Sequence, residues 1–326
     1  MLNLPVNFIN QFNKWTASQR PFVFLIDFEG KKPVLFLKEE AAHQGLFFAT
    51  PKATNITETS CDKNNLINFD FEPVHFKPYQ QAFQQVQNHL QQGDTYLLNL
   101  TCKSKLKHVI DLTAIFCRAK APYRILWQNR FVSFSPESFI QTKGNTIVTF
   151  PMKGTISADL PHADQLLLND KKENFEHHTI VDLLRNDLAL LATNIQVKRF
   201  KFLQKIKTNR GNIWQMSSEI QGQLPPDWKK NAAHLFNKIL PAGSISGAPK
   251  VKTLSIIKEV EQTPRGYYTG IFGFFNGQDF DTAVLIRYIE KNGENFYYRS
   301  GGGITALSQV KNEYDELIQK IYVPIT

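Results

Sequence analysis

The chain has 326 residues, 42% of them hydrophobic, and a formal net charge of +9. That length and apolar content can bury a large core, which excludes a disordered chain and leaves one big domain or two ordinary ones. No run of 18 apolar residues occurs, and the start, Met1-Leu2-Asn3-Leu4-Pro5, lacks a basic region followed by an apolar core, so neither a membrane span nor export is expected. Cys61, Cys102 and Cys117 show no metal-ligand or redox spacing. An odd, sparse set argues against a disulfide framework, so a cytoplasmic location is expected.

Residues 1–75 read as irregular apart from a strand at Phe22–Ile26, with a polar stretch over 50–65. From Lys77, Tyr79, Phe83, Val86 and Leu90 recur at helical spacing, and Gly93 stands where a helix end wants a left-handed residue. A strand is expected over 95–101 and a short helix over 111–119. Strand-like runs at 124–127, 131–135, 139–142 and 146–150, parted by polar or Gly-containing turns, predict an antiparallel meander. A helical region over 164–191 follows, then strands through a basic stretch to Gln221, a helix over 228–240 and another starting at Pro249, a favoured first-turn residue. Asn276-Gly277 and Asn292-Gly293 part strand-like runs as two-residue hairpins would, which predicts a second meander of three strands. Without repeats, linkers or regular strand–helix alternation, the chain reads as one large α+β domain.

The basic stretch holds Lys198, Arg199, Lys201, Lys205, Lys207 and Arg210 with only Phe200 and Phe202 between them. It lacks an RNA-binding signature and reads as a solvated strand and loop, so no nucleic-acid partner is expected. Other residues carry more chemistry. Lys153 lies in Pro151-Met152-Lys153-Gly154-Thr155 just after a strand, and Glu137, in Ser135-Pro136-Glu137-Ser138, ends the strand before it, so a hairpin brings amine and acid together. Glu176 shares the helical face of Ile180 and Leu183; a buried carboxylate there needs either an ion pair, with Arg185 or a lysine, or a metal. Glu313, Glu316 and Lys320 form one stripe at i, i+3, i+7, as a solvated salt-bridge row or as part of a site. Arg287 falls, by the period of two, on the strand face of Ala283, Leu285 and Ile289 and wants an anion. Gly301-Gly302-Gly303, after the third strand, can offer bare N–H groups to a carboxylate, and Ser244 to Lys250 place small residues ahead of a helix N-terminus.

In this order the segments resemble the chorismate-utilising enzymes: anthranilate synthase component I, aminodeoxychorismate synthase component I, and the isochorismate and salicylate synthases. The motifs, from Gly93-Asp94 through Val181-Asp182-Leu183-Leu184-Arg185-Asn186-Asp187-Leu188, Gly243 to Lys250, Pro264 to Gly270 and on to Lys320, span about 230 residues. Lysine in Pro-x-Lys-Gly-Thr marks the aminodeoxychorismate synthase branch, where anthranilate synthases typically carry alanine. The resemblance implies two large antiparallel sheets packed face to face and flanked by helices, a catalytic region over 76–326 and a shortened N-terminal part over 1–75. It implies Mg²⁺ on Glu176 and Glu316, with Glu313 through water. Arg287, Tyr268, Lys320 and the backbone of Gly301, Gly302 and Gly303 would clamp carboxylates, Ser246 would hold the ring end and Glu137 would protonate the departing 4-hydroxyl.

The resemblance also implies that Lys153 attacks the 2-position before ammonia enters at the 4-position. Its amine must then be neutral, which a pKa lowered to roughly 7.5 by desolvation or positive field would provide. Ammonia from glutamine implies a separate glutamine amidotransferase subunit, because no Gly-x-Cys-x-Gly motif surrounds any cysteine. The sequence departs from the family where Gln215 replaces a usual histidine and Ser246 a common threonine. The N-terminal part lacks a Leu-Glu-Ser-type segment, so tryptophan feedback is not expected.

Overall fold

The computed structural model describes residues 2–56, 69–208 and 211–324. Among these residues, two antiparallel sheets of nine and eight strands stack face to face. Phe22–Ile26 shows why the sequence builds them. All five residues are buried, because Val23 and Leu25 point into the space between the sheets while Phe22, Phe24 and Ile26 point outward under helices. A strand covered on both faces is apolar throughout rather than alternating.

The layer between the sheets joins Val23, Leu25, Phe272 and Ala283 to Phe48, Tyr123, Ile125 and Tyr288. Outside the nine-stranded sheet, helices Val6–Ala17, Lys171–Ala189 and Ala232–Ile239 cover an aromatic cluster in which the Phe12 ring lies 4.9 Å, edge-on, from both Phe22 and Phe24. Outside the eight-stranded sheet lie helices Phe76–Gln91, Leu112–Arg118, Lys250–Glu261 and Val310–Gln319. The molecule is thus an α+β sandwich in four layers.

Several expectations need correction. Residues 2–56 contribute strands to both sheets: Phe22–Ile26 pairs with Ile271–Phe275 and Val34–Leu37, and Leu46–Ala49 pairs with Tyr123–Trp127. Helix Val6–Ala17 was hidden by its low charge and by aromatics that read as irregular. The helical region over 164–191 breaks into Ala163–Asn169 and Lys171–Ala189 at Asp170, whose carboxylate accepts the N–H of Glu173 and caps the second helix. Of the two hairpin signals, Asn292-Gly293 gives a two-residue loop, since Asn292 pairs with Asn295. Asn276-Gly277 opens a four-residue one: Phe275 pairs with Phe280, and the Asn276 side chain accepts the N–H groups of Gln278 and Asp279. Cys117 is disulfide-bonded while Cys102 is free. Three cysteines leave room for one bridge, and spacing cannot exclude pairing across a fold, so the cysteines give no support for a reducing compartment.

The larger correction concerns the meanders, because each is divided between the two sheets. Phe131–Ser135 belongs to the eight-stranded sheet and Ser138–Lys143 to the nine-stranded one; Phe280–Val284 and Tyr288–Asn292 are split in the opposite order. The chain crosses between sheets at residues 136–137 and again at 285–287. The crossings are neighbours, since Ser138 pairs with Ala283 on one side and Ser133 with Tyr288 on the other.

Candidate active site

Both crossings carry a predicted site residue. Glu137 sits in the first, where Ser135 Oγ donates to its carbonyl at 3.0 Å. Arg287 sits in the second, at a left-handed φ of 51°, and the Phe134 N–H donates to the carbonyls of Ile286 and Arg287 at 3.2 Å. Arg287 is therefore not a residue within a strand, as the period of two suggested; it is the corner itself, where strand periodicity has ended. Its guanidinium carbon lies 5.0 Å from the centre of the Tyr322 ring, and its buried Nε has no partner among the described residues. Such an arginine is prepared for an anion. Burial pushes the Glu137 carboxyl up to about 7, against the pull of Arg287, Lys153 and Lys320. The four groups therefore share one crevice.

Lys153 enters it through a bulge. In the strand Met152–Ser157 the pairing with Gly211–Gln223 slips between Met152 and Thr155, and Gly154 adopts φ +87°, a region that favours glycine. A side chain at Gly154 would also meet Glu173 Oε2 at 3.0 Å. The bulge re-aims Lys153, whose Nζ lies 2.6 Å from Glu176 Oε2. Of the two readings open for Glu176, the ion pair is present in this structure, with Lys153 and more distantly with Lys172 at 3.8 Å; Arg185 pairs instead with Asp182. The consequence reverses an expectation. Burial works to lower the Lys153 pKa, but Glu176, with Glu316 and Glu173 behind it, outweighs burial and holds the amine above its usual value. The lowered amine is Lys320, where burial dominates and Lys153 and Arg287 add positive field.

The C-terminal stripe forms the opposite wall. Lys320, just past helix Val310–Gln319, pairs with Glu316 at 2.7 Å and donates to the Gly301 carbonyl at 3.1 Å. Glu313 accepts from Ser308 Oγ at 2.8 Å. The three glycines lie inside strand Asn295–Ile304 rather than after it, paired with Asn99, Leu100 and Thr101. Gly302 shows their use: a Cβ there would meet nothing within 4 Å except Glu313 Oε2 and Lys320 Nζ, both at 3.7 Å. Absence of a side chain keeps the crevice floor open between an acid and an amine.

Among the described residues no group of three or more His, Cys, Asp or Glu side chains converges as a metal cage would. The carboxylates nonetheless act on one another. Glu313 is held above the usual range, first by burial and then by the like charges of Glu316 and Glu176. A hard cation would relieve that repulsion, and Mg²⁺ commonly takes only one or two carboxylates beside water and substrate oxygens. The oxygen donors fit it.

Of two further predicted residues, Ser246 stands elsewhere while Tyr268 lies near Arg287. Ser246 is fully buried in the turn Gly243–Ser246, where its hydroxyl donates to the Ala242 carbonyl at 2.8 Å, so it does not face the crevice in this structure. Tyr268 is buried between the sheets; burial first, against nearby arginines that include Arg287, pushes its hydroxyl up to about 12. It therefore offers a neutral O–H. The basic stretch lies on Thr193–Thr208, which pairs only with Gly211–Gln223 among the described strands. Arg199 bonds Glu219 at 2.7 Å and Lys201 lies over the Phe200 ring. Charge on an edge strand discourages unwanted strand pairing. The side chain of Lys207 and all of Arg210 lie outside the described residues.

Sequence reasoning missed Arg265. Its guanidinium is 1% exposed, pairs with Glu261 through two contacts of 2.9 and 2.7 Å, and donates to the carbonyls of Ile245 and Asn99. Glu261 in turn accepts the Thr101 N–H at 2.9 Å. Together they satisfy the edge of the strand whose other edge holds the glycines. Glu261 ends the helix Lys250–Glu261 and Arg265 lies in the loop beyond it, so no helical period linked the two in the sequence.

A family profile described as "chorismate binding enzyme" matches residues 10–326. The chain belongs to that family. An uncharacterized PabA-like protein of Haemophilus influenzae is 47% identical to it, covering 98% of this chain and 97% of that one. Aminodeoxychorismate synthase component 1 of Bacillus subtilis is 30% identical over 75% of this chain, which spans 54% of that longer relative. In structure the chain is similar to anthranilate synthase component I of Streptococcus pneumoniae, with a TM-score of 0.66 and 26% identity over 79% of this chain and 60% of that one. Membership makes the chain an enzyme acting on chorismate, and the clustered cations beside Glu137 suit a dicarboxylate.

Proposed function

We propose that this chorismate enzyme is an aminodeoxychorismate synthase component I, joining chorismate and ammonia to give 4-amino-4-deoxychorismate and water for 4-aminobenzoate and folate synthesis. The observation that carries the reading is Lys153: its bulge aims an amine into the crevice that also holds Glu137 and Arg287. A proton from Glu137 reaches the departing 4-hydroxyl while the neutral Lys153 amine forms a bond at the 2-position, both ring double bonds shifting as the C–O bond breaks. Ammonia then bonds at the 4-position, both double bonds shift back, Lys153 leaves with its electron pair, and the new ammonium group returns a proton to Glu137. Arg287 and Lys320 orient the carboxylates, and the Gly302 backbone lets them approach. Glu176 and Glu316, with Glu313 through water, would hold Mg²⁺, which neutralises a substrate carboxylate when bound. Lys153 must part from Glu176 before it can react, because paired as it is the amine keeps its proton.

Glutamine serves through a separate amidotransferase chain. The test is incubation with chorismate, Mg²⁺ and ammonium, with the product identified by mass spectrometry after chromatography. A 4-amino product supports the assignment; anthranilate overturns it in favour of the anthranilate synthase activity, and an unaminated isomer would place the chain with the water-using branch.

A further inference from the structure

His177 follows Glu176 on the helix Lys171–Ala189 and is wholly buried. Its Nε2 lies 2.7 Å from Ser218 Oγ. Ser218 is fixed twice more: its Oγ accepts the Lys201 N–H at 3.0 Å, and its own N–H donates to the Pro151 carbonyl at 3.0 Å. A serine hydroxyl has one proton to give, and here the imidazole is the acceptor beside it. Nε2 therefore accepts, and the ring proton sits on Nδ1.

Nδ1 has no partner at hydrogen-bond geometry and no access to water, and the group it faces is the backbone of Lys153. That backbone needs a donor. The slip between Met152 and Thr155 takes Lys153 and Gly154 out of the ladder with Gly211–Gln223, so the sheet does not fix the peptide that aims the amine.

We propose that His177 is a positioning residue for Lys153, its Nδ1–H held by the Ser218 hydroxyl so as to secure the Lys153 carbonyl at the bulge and aim the amine into the crevice. The inference rests on the reading of Lys153 as the amine that meets the substrate. Ser218, Pro151 and His177 thus link the strand of Lys153 to the helix of Glu176, so the two ends of the Lys153–Glu176 pair are held by one buried chain of hydrogen bonds.

Asparagine places an amide N–H near the position of Nδ1, whereas glutamine reaches the position of Nε2, so the two substitutions separate the roles of the two nitrogens. In ammonium-driven turnover, His177→Gln should lower kcat roughly 10- to 100-fold with KM for chorismate changed less than about threefold, and His177→Asn should recover most of the loss. Equal impairment of both variants, or a loss carried by KM, overturns the proposal. Because either variant could unfold, the wild-type protein labelled with ¹⁵N-histidine supplies a second measurement. A two-bond ¹H–¹⁵N spectrum should show His177 neutral and protonated on Nδ1, and a proton on Nε2 overturns the proposal whatever the variants do. If the wild-type protein makes no aminated product, the proposed function fails, and the spectrum alone then decides on His177.

Discussion

Glu137 and Lys153 make opposite demands on the proton, and their surroundings enforce the difference. Glu137 must keep its proton to act as an acid, and burial lets it do so up to about pH 7. Lys153 must lose one, and Glu176 holds it protonated above the usual range. Below about 7 the neutral amine is the scarce form, so log(kcat/KM) should climb with pH; above about 7 loss of the Glu137 proton cancels the gain, and the profile should level off. Glu137→Gln should lower kcat about 10²- to 10⁴-fold and let the climb continue past 7. A wild-type profile that falls steadily from pH 5 would contradict this assignment. Lys153→Ala removes the amine without removing Arg287, Lys320 or the carboxylates. The variant should bind chorismate within a few-fold of wild type by calorimetry, yet lose most 4-amino product, with any residual amination shifted to the 2-position. Wild-type rates of 4-amino product from this variant would end the covalent reading.

At the scale of elements, the site depends on strand edges and corners more than on strand interiors. The Arg265–Glu261 pair closes the open edge of strand Leu97–Leu106, and the glycines pair along its other edge. Breaking a buried pair by removing one partner typically costs about 3 to 5 kcal/mol, because the other charge is left uncompensated. Arg265→Met should therefore move the urea midpoint far lower, whereas the double variant Arg265→Met, Glu261→Leu should recover part of the loss. If the double variant is no more stable than the single one, the edge hydrogen bonds rather than the stranded charge set the cost. Gly302→Val tests the opposite property of the same strand: its side chain would enter the space between Glu313 and Lys320, so chorismate affinity should fall while the unfolding midpoint stays close to wild type.

For the whole molecule, the +9 net charge includes the cations gathered beside Glu137 and others along the edge strand Thr193–Thr208, where Arg199 pairs with Glu219. No helix among the described residues is long and apolar enough to cross a membrane. The proposed division of labour predicts that glutamine will not replace ammonium until an amidotransferase chain is added, and that chelation of Mg²⁺ stops turnover in either case. Turnover of glutamine by the pure chain, followed by ammonia release, would refute the first part; activity in excess chelator would refute the second.

The sequence alone determined the α+β class and the strands and helices with strong patterns, and it singled out the acid, amine, arginine and glycines proposed for the site, because motif order and hydrophobic period are local properties. Phe22–Ile26 needs no partner to read as a buried strand, and Glu313, Glu316 and Lys320 need only a helical period to share a face. What only the tertiary structure decided are relations between distant segments. The meanders divide between two sheets, which makes corners of Glu137 and Arg287, and no period of two can reveal where a strand stops being periodic. Lys153 is raised instead of lowered, because desolvation, the largest single effect there, is outweighed by Glu176 at 2.6 Å, 23 positions away in the chain, together with Glu316 and Glu173. Ser246 turned inward and Arg265 became a buried brace for the same reason: burial and pairing are properties of the packed chain, fixed only when the two sheets close on each other.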